Sequence, residues 1–330
     1  MGGSSWSDES YRGITSRKLR SHGTSFTYDK AVKSGSAPRA AHVALDPSKM
    51  KAGRRESRDS EAHPESNAII VALDVTGSMG SVIKAIHEKL PTLMGMLIRK
   101  NYIPDPQIMF MGIGDATCDS VPLQVGQFES GVEMEGDISN LYIEGGGGGQ
   151  STESYELAAY VATHMTSIDC FEKRGKRGYL FIIGDEMPYP RLKAHEVRKV
   201  IGEGAEVDIP VEQLFGELKK KYFTFYILPE GACHGHDPQI VKRWSDLIGS
   251  EHVLRLKDPG AVAELIASQI GLCEGATDMD SVSKDLEEHG STALVPVVRD
   301  AVSKAYAGGA MTKVPDGALE NASKPEVERL

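Results

Sequence analysis

Short apolar runs separated by stretches of helical periodicity leave this chain very few ways to fold. Residues 68–73 form an unbroken apolar run that ends in Asp74, the pattern of a central parallel strand buried on both faces. Val82, Ile83, Ile86, Leu90, Leu93, Met94 and Leu97 then recur at helical spacing, with Pro91 predicting a kink or restart. Residues 107–114 read as a second strand. Residues 121–128 read as a third, in hairpin connection or not. After a glycine run, Leu157, Ala158, Val161 and Met165 share one helical face. "GYLFIIGDE" is a further buried strand ending in an acid, Asp185. A helix at 211–221, a strand at 223–228, a helix at 238–248, a short strand at 252–256 and a helix at 261–270 follow. Strands alternating with helices predict an α/β fold: a doubly wound, mostly parallel sheet with helices on both faces. Ligands of such sheets bind beyond the carboxyl ends of the strands.

The 330 residues, 40% of them hydrophobic, suffice for one core of about 200 residues with appendages. Three segments are expected: a basic, low-periodicity N-terminal arm over 1–66, the α/β domain over 67–273, and an acidic tail over 274–330 with a short amphipathic helix. The arm carries 12 Lys/Arg against 8 Asp/Glu, and the remaining residues 25 against 39. A basic arm preceding an acidic body predicts contact between them, most of all around Arg54 to Pro64; a disordered or loosely docked arm is the alternative. The net charge of −10 argues against a general nucleic-acid binder. Cys118, Cys170, Cys233 and Cys273 lie far apart and form no CxxC pair, against structural zinc and a disulfide framework. No signal-peptide core and no membrane-length apolar run is present, so a cytoplasmic protein is expected.

The chemistry gathers at the strand ends. Asp74, Thr76 and Ser78 follow the first strand at alternate positions, with Gly77 permitting a turn. Asp185 ends a later strand. Between them "EGGGGGQSTESYEL" opens a helix with Ser151 and Thr152 just before it. Hard oxygens from carboxylates and hydroxyls suit Mg²⁺ or Mn²⁺. Two carboxylates roughly neutralise such an ion and the hydroxyls add no charge. The ion therefore stays electrophilic and can take an outside carboxylate. No general base or nucleophile for turnover is evident. As solvent-facing loop residues, Asp74 and Asp185 are expected to tolerate alanine with little loss of stability.

The Asp-x-Thr-x-Ser run of "DVTGS", behind an apolar strand and before an amphipathic helix, resembles the metal-ion-dependent adhesion site of von Willebrand factor type A domains. The resemblance spans residues 67–273. It implies direct coordination by Ser78 and by Thr76 or Thr152, with Asp74 and Asp185 acting partly through water; Ser151 or Glu153 are alternatives to Thr152. It implies a Mg²⁺-dependent adhesion module whose protein partner supplies an Asp or Glu, in a class that often works beside AAA+ ATPases. With "RESRDS…HP" at Arg55 to Pro64, the chain also resembles bacterial and phage proteins carrying one such domain.

Other readings compete. Thr76, Ser78 and Thr152 are also the residue types that cap helices. The glycine run lacks the Lys-Ser/Thr of a phosphate loop. "CHGHDP", Cys233 to Pro238, reads as a polar loop entering a helix, and Asp115 and Asp119 as turn residues or a rim. A haloacid-dehalogenase-like Mg²⁺ phosphohydrolase also begins with a strand and an aspartate. Here, however, Thr76 replaces its second aspartate and Tyr189 stands where its last acid belongs. A structural protein of a phage particle is a third reading.

Overall fold

The computed structural model describes residues 5–50, 53–145, 151–202 and 204–307. The chain opens with two helices, α1 (Asp8–His22) and α2 (Thr27–Lys33). Six strands form the main sheet: β1 (Asn67–Asp74), β2 (Pro106–Ile113), β3 (Leu123–Val125), β4 (Gly178–Ile183), β5 (Tyr222–Pro229) and β6 (Val253–Leu256). The longer helices that follow the arm are α3 (Gly80–Arg99), α4 (Tyr155–His164), α5 (Val211–Lys221), α6 (Pro238–Ile248), α7 (Val262–Glu274), α8 (Met279–Glu288) and α9 (Val295–Ala307).

The sheet order is β3-β2-β1-β4-β5-β6, parallel throughout except for β3, which runs antiparallel to β2 at the edge. This is the doubly wound order, and it reverses between β1 and β4. Alternation along β1 explains the two layers. Ile69, Val71 and Leu73 face α3, α7, α8 and α9, whereas Ala68, Ile70 and Ala72 face α4, α5 and α6. Leu73 lies opposite Ile183, so Asp74 and Asp185 leave adjacent strands at the same edge of the sheet.

Pro91 does not restart α3, which is continuous from Gly80 to Arg99. A proline removes the N–H that would bond the carbonyl four residues back, here that of His87. The Tyr11 hydroxyl, from α1, donates to this carbonyl at 2.5 Å. The residue that frees the carbonyl and the residue that satisfies it thus lie 80 positions apart, joining the first helix to the α/β body.

The first 66 residues are therefore not a featureless arm. Their apolar content is low, but Trp6, Tyr11, Phe26 and Leu45 are spent on the body. Arg55–Ser57 pairs in parallel with Thr166–Ile168, and the Arg55 guanidinium donates to the carbonyls of Ala44 and Val125. Ion pairs run in both directions: Arg58 reaches Asp169 and Glu172 at 2.8 and 2.6 Å, while Asp59 receives Arg174 at 2.8 Å. Backbone pairing and local ion pairs, rather than overall charge, hold this stretch. In the tail, α8 and α9 pack through Val282, Leu286, Val298 and Val302 on the α3–α7 layer, so the core continues past residue 273. The part of the tail from 308 onward lies outside the described residues. No helix among the described residues is long and apolar enough to cross a membrane.

The ion pairs have a pH signature. Burial pushes Asp59 and Asp169 up. Hydrogen bonds from Arg174, Ser66 and Lys173 on the first, and from Lys173, the Asp59 N–H and Arg58 on the second, more than offset it and hold both below the usual carboxylate range. A depressed carboxylate stabilises the fold above its unfolded pKa, and the contribution is lost as pH falls through the folded value. Thermal stability is expected to fall as pH drops below about 4, and Asp169→Asn should flatten that fall. An equal acid response in both proteins would show that this network does not hold the segment.

Candidate metal centre

Asp74, the last residue of β1, is fully buried. Its Oδ1 accepts from the Thr76 N–H at 2.8 Å and the Thr76 hydroxyl at 2.6 Å; its Oδ2 accepts from the Tyr155 hydroxyl at 3.1 Å. Thr76 stands at the N-cap of the short turn Gly77–Met79 but makes no side-chain cap there. Its hydroxyl gives its proton to Asp74 and keeps its lone pairs. The Ser78 side chain lies outside the described residues, as do residues 146–149 of the glycine run.

Asp185 follows β4 and is 1% exposed. It accepts from the backbone N–H of His234 at 3.0 Å, and the His234 ring lies 3.7 Å from Asp185 and 3.8 Å from Glu186. The other ring nitrogen is 3.4 Å from the Ser151 hydroxyl. The "CHGHDP" loop thus does two things. Asp237 caps α6 by accepting from Gln239, and His234 turns back to the strand ends.

Thr152 is not a helix cap. Thr152–Glu153 is a two-residue strand paired in parallel with Met187–Pro188, and α4 starts only at Tyr155. Pairing with the segment just after Asp185 carries Ser151, Thr152 and Glu153 to the Asp185 edge. Asp115 and Asp119 do form a turn, since Asp115 accepts from the Thr117 N–H and hydroxyl and Asp119 from the Asp115 N–H. The turn also meets the segment that follows Asp185: the Tyr189 hydroxyl donates to Asp115 at 2.9 Å and lies 3.2 Å from the Thr117 hydroxyl.

The structure adds residues that pattern reading passed over. Tyr155 donates to Asp74. Gly184 makes room for it, because a Cβ there would lie 2.0 Å from the Tyr155 hydroxyl. Glu186, next to Asp185, and Glu156, inside α4, are further acids of this edge; the adjacency in "GDE" was the available signal for the first. Glu153 is 2% exposed, and its Oε2, like Oε2 of Glu186, is buried without a hydrogen-bond partner among the described residues. Burial pushes Asp74 up to about 6, a rise that Asp185 reinforces. Burial, then the charges of Asp74 and Glu186, push Glu153 up to about 10; burial, then Asp74 and Asp185, push Glu186 up to about 8. The strongest charges on each are other carboxylates. Among the described residues no three His, Cys, Asp or Glu side chains form a ready chelate. An ion here would therefore depend on hydroxyls and water beside the carboxylates.

Fold and cluster together define a doubly wound α/β domain with an oxygen-rich, acidic edge at its topological switch point. No protein-family model matches the chain, nor does any curated protein. Solved structures do. The pilus adhesin SpaC from Lactobacillus rhamnosus GG, in its open conformation, matches at TM-score 0.45 and 8% identity over 66% of this chain and 31% of the adhesin. The VWA domain of SpRpn10 matches at TM-score 0.38 and 12% identity over 61% of this chain and 94% of that one. An aerotolerance-related membrane protein from Bacteroides fragilis matches at TM-score 0.35 and 14% identity, over 62% and 98%. The chain spans about a third of the adhesin's length.

Proposed function

We propose that the chain is a protein-binding module of the von Willebrand type A kind that works through a divalent ion. Mg²⁺ or Mn²⁺ is held by Asp74, Thr76, Ser78, Thr152 and Asp185, with Ser151 and Glu153 beside them, and takes an Asp or Glu carboxylate from a protein partner. The observation that carries this reading is the pair of buried oxygens on Glu153 and Glu186, within reach of the Asp74 charge and unpartnered among the described residues. Buried carboxylates crowded by other carboxylates hold their protons, and a bound cation is what would let them ionise there. The hydroxyl donors fit a hard ion, and two coordinating carboxylates leave it electrophilic. The pinned and fully buried Asp74 carboxylate suits a ligand better than the attacking nucleophile of a phosphohydrolase. The vWA resemblance brings AAA+ ATPases into the class of expected partners. The unpaired cysteines suit the cytoplasm.

The test is a calorimetric titration of the full chain with Mn²⁺ and Mg²⁺, followed by affinity capture with Mg²⁺ or with a chelator. One ion per chain and a partner retained only with Mg²⁺ are expected. No metal uptake, or identical capture with the chelator, would overturn the reading.

A further inference from the structure

The N-terminal helices do more than cover the body. Helix α2 has a small apolar cluster of its own, in which Tyr28, Val32, Ala37 and Ala41 pack on Val121 and Tyr142. Beside it, the Asp29 carboxylate accepts the backbone N–H of Ile143 at 3.1 Å. Residues 141–145 form the stem that leads into the glycine run. On its other side the stem is bolted to the sheet, because Gln124 exchanges two hydrogen bonds with the Tyr142 backbone and Glu144 accepts the Val121 N–H. The stem ends at Gly145, in a left-handed conformation (φ +69°). The Gly145 carbonyl abuts the metal turn so closely that a Cβ on Gly77 would lie 3.1 Å from its oxygen.

A continuous path of contacts thus runs from α2 through Asp29, Ile143 and Gly145 to Gly77, which separates Thr76 from Ser78. Its steps are a hydrogen bond, peptide links and the approach of the Gly145 carbonyl to within 3.1 Å of where a Gly77 Cβ would stand. Asp29 is 114 positions away from Ile143, and its charge also acts on the neighbouring Tyr142 of the stem. The remaining charge partner of Asp29, Lys33, is one turn away on the same helix and half exposed, a pair worth little to stability. The role of the carboxylate is therefore to fix the stem.

We propose that α2 is a brace for the metal turn, with Asp29 as a positioning residue: the arm sets where the stem, and through Gly145 the Thr76–Gly77–Ser78 turn, stands. This rests on the metal reading for its consequence, but not for the brace itself. A partner that grips or lifts α2 would loosen the turn, giving the N-terminal segment control over ion binding at a site it does not touch.

The experiment uses the full-length chain with Asp29→Ala and Asp29→Asn. Asparagine keeps an oxygen to accept the Ile143 N–H; alanine does not. Amide exchange is followed without metal at Ile143 and at Gly77–Met79, together with Mn²⁺ affinity and melting temperature. In Asp29→Ala, faster exchange is expected at both places, with Mn²⁺ affinity lowered about threefold to tenfold. Asp29→Asn should restore both, and the melting temperature should barely move. Faster exchange at Ile143 alone, no change at either place, or an unaltered Mn²⁺ affinity beside faster exchange would each overturn the proposal. Should the wild-type chain bind no Mn²⁺, the metal reading falls, and exchange at Gly77–Met79 alone decides whether α2 braces the turn.

Discussion

Asparagine at both Asp74 and Asp185 should cut Mn²⁺ affinity by at least about a thousandfold and leave the fold intact. A unit charge about 4 Å from another, at the effective dielectric of a protein surface, is worth about 4 kcal/mol, so even one lost carboxylate charge has an effect of that size. Asparagine is the right replacement because both carboxylates are buried and hydrogen-bonded, contrary to the solvent-facing loop expected from sequence. Alanine at position 74 would strand the Thr76 N–H, the Thr76 hydroxyl and the Tyr155 hydroxyl, each at the cost of a buried unmet donor, about 1–3 kcal/mol. Asparagine can accept from Thr76 and donate its amide to the Tyr155 oxygen. It also removes charge from beside Glu153 and Glu186, so the metal-free variant should melt at the wild-type temperature or above. Calorimetry and thermal denaturation on one preparation check both halves. Equal Mn²⁺ binding in variant and wild type would show that these two aspartates do not hold the ion.

What could be read without coordinates follows from what periodicity encodes. The apolar runs at β1, β4 and β5 are buried on both faces, so they stand out as unbroken strings, and their alternation with helices fixes the layers. Asp74 and Asp185 were legible because they interrupt such strings at the ends. Three things were not. Strand β3 is only three residues long, within an eight-residue stretch that read as strand. After Gly126, the chain returns to β2 only through the bridge of Glu129 to Ile108. The N-terminal segment is held by a few aromatics, a three-residue strand and ion pairs, none of which has a period. The burial of the glutamates was hidden: Glu153 could be named as an alternative ligand, but it, Glu156 and Glu186 are of the residue type expected on a solvated surface, and the strand pair Thr152–Glu153 with Met187–Pro188 turns the first of them inward.

Gly184→Ala is expected to be among the most costly single-methyl additions in the molecule. The new Cβ would stand 2.0 Å from the Tyr155 hydroxyl and 2.8 Å from its ring carbon. The ring has nowhere to go. It is fully buried, set edge-on against Trp244 at 5.3 Å and Tyr226 at 6.2 Å, and the last two stack on each other at 4.0 Å. Overpacking of this kind costs about 1–3 kcal/mol, and displacing the hydroxyl from Asp74 adds the loss of a hydrogen bond to a carboxylate, for a total of about 3 kcal/mol. A double-mutant cycle separates the clash from a general intolerance of the "GDE" turn. Tyr155→Phe alone should destabilise, because Asp74 loses a donor. In the Gly184→Ala background the same change should cost less or be stabilising, because the atom in the closest collision, at 2.0 Å, is then gone and only the 2.8 Å approach to the ring remains. If the two changes instead add, the hydroxyl is not what the glycine accommodates. The absence of a side chain at position 184 would then serve the backbone of the Asp185 turn and not the grip of Tyr155 on Asp74.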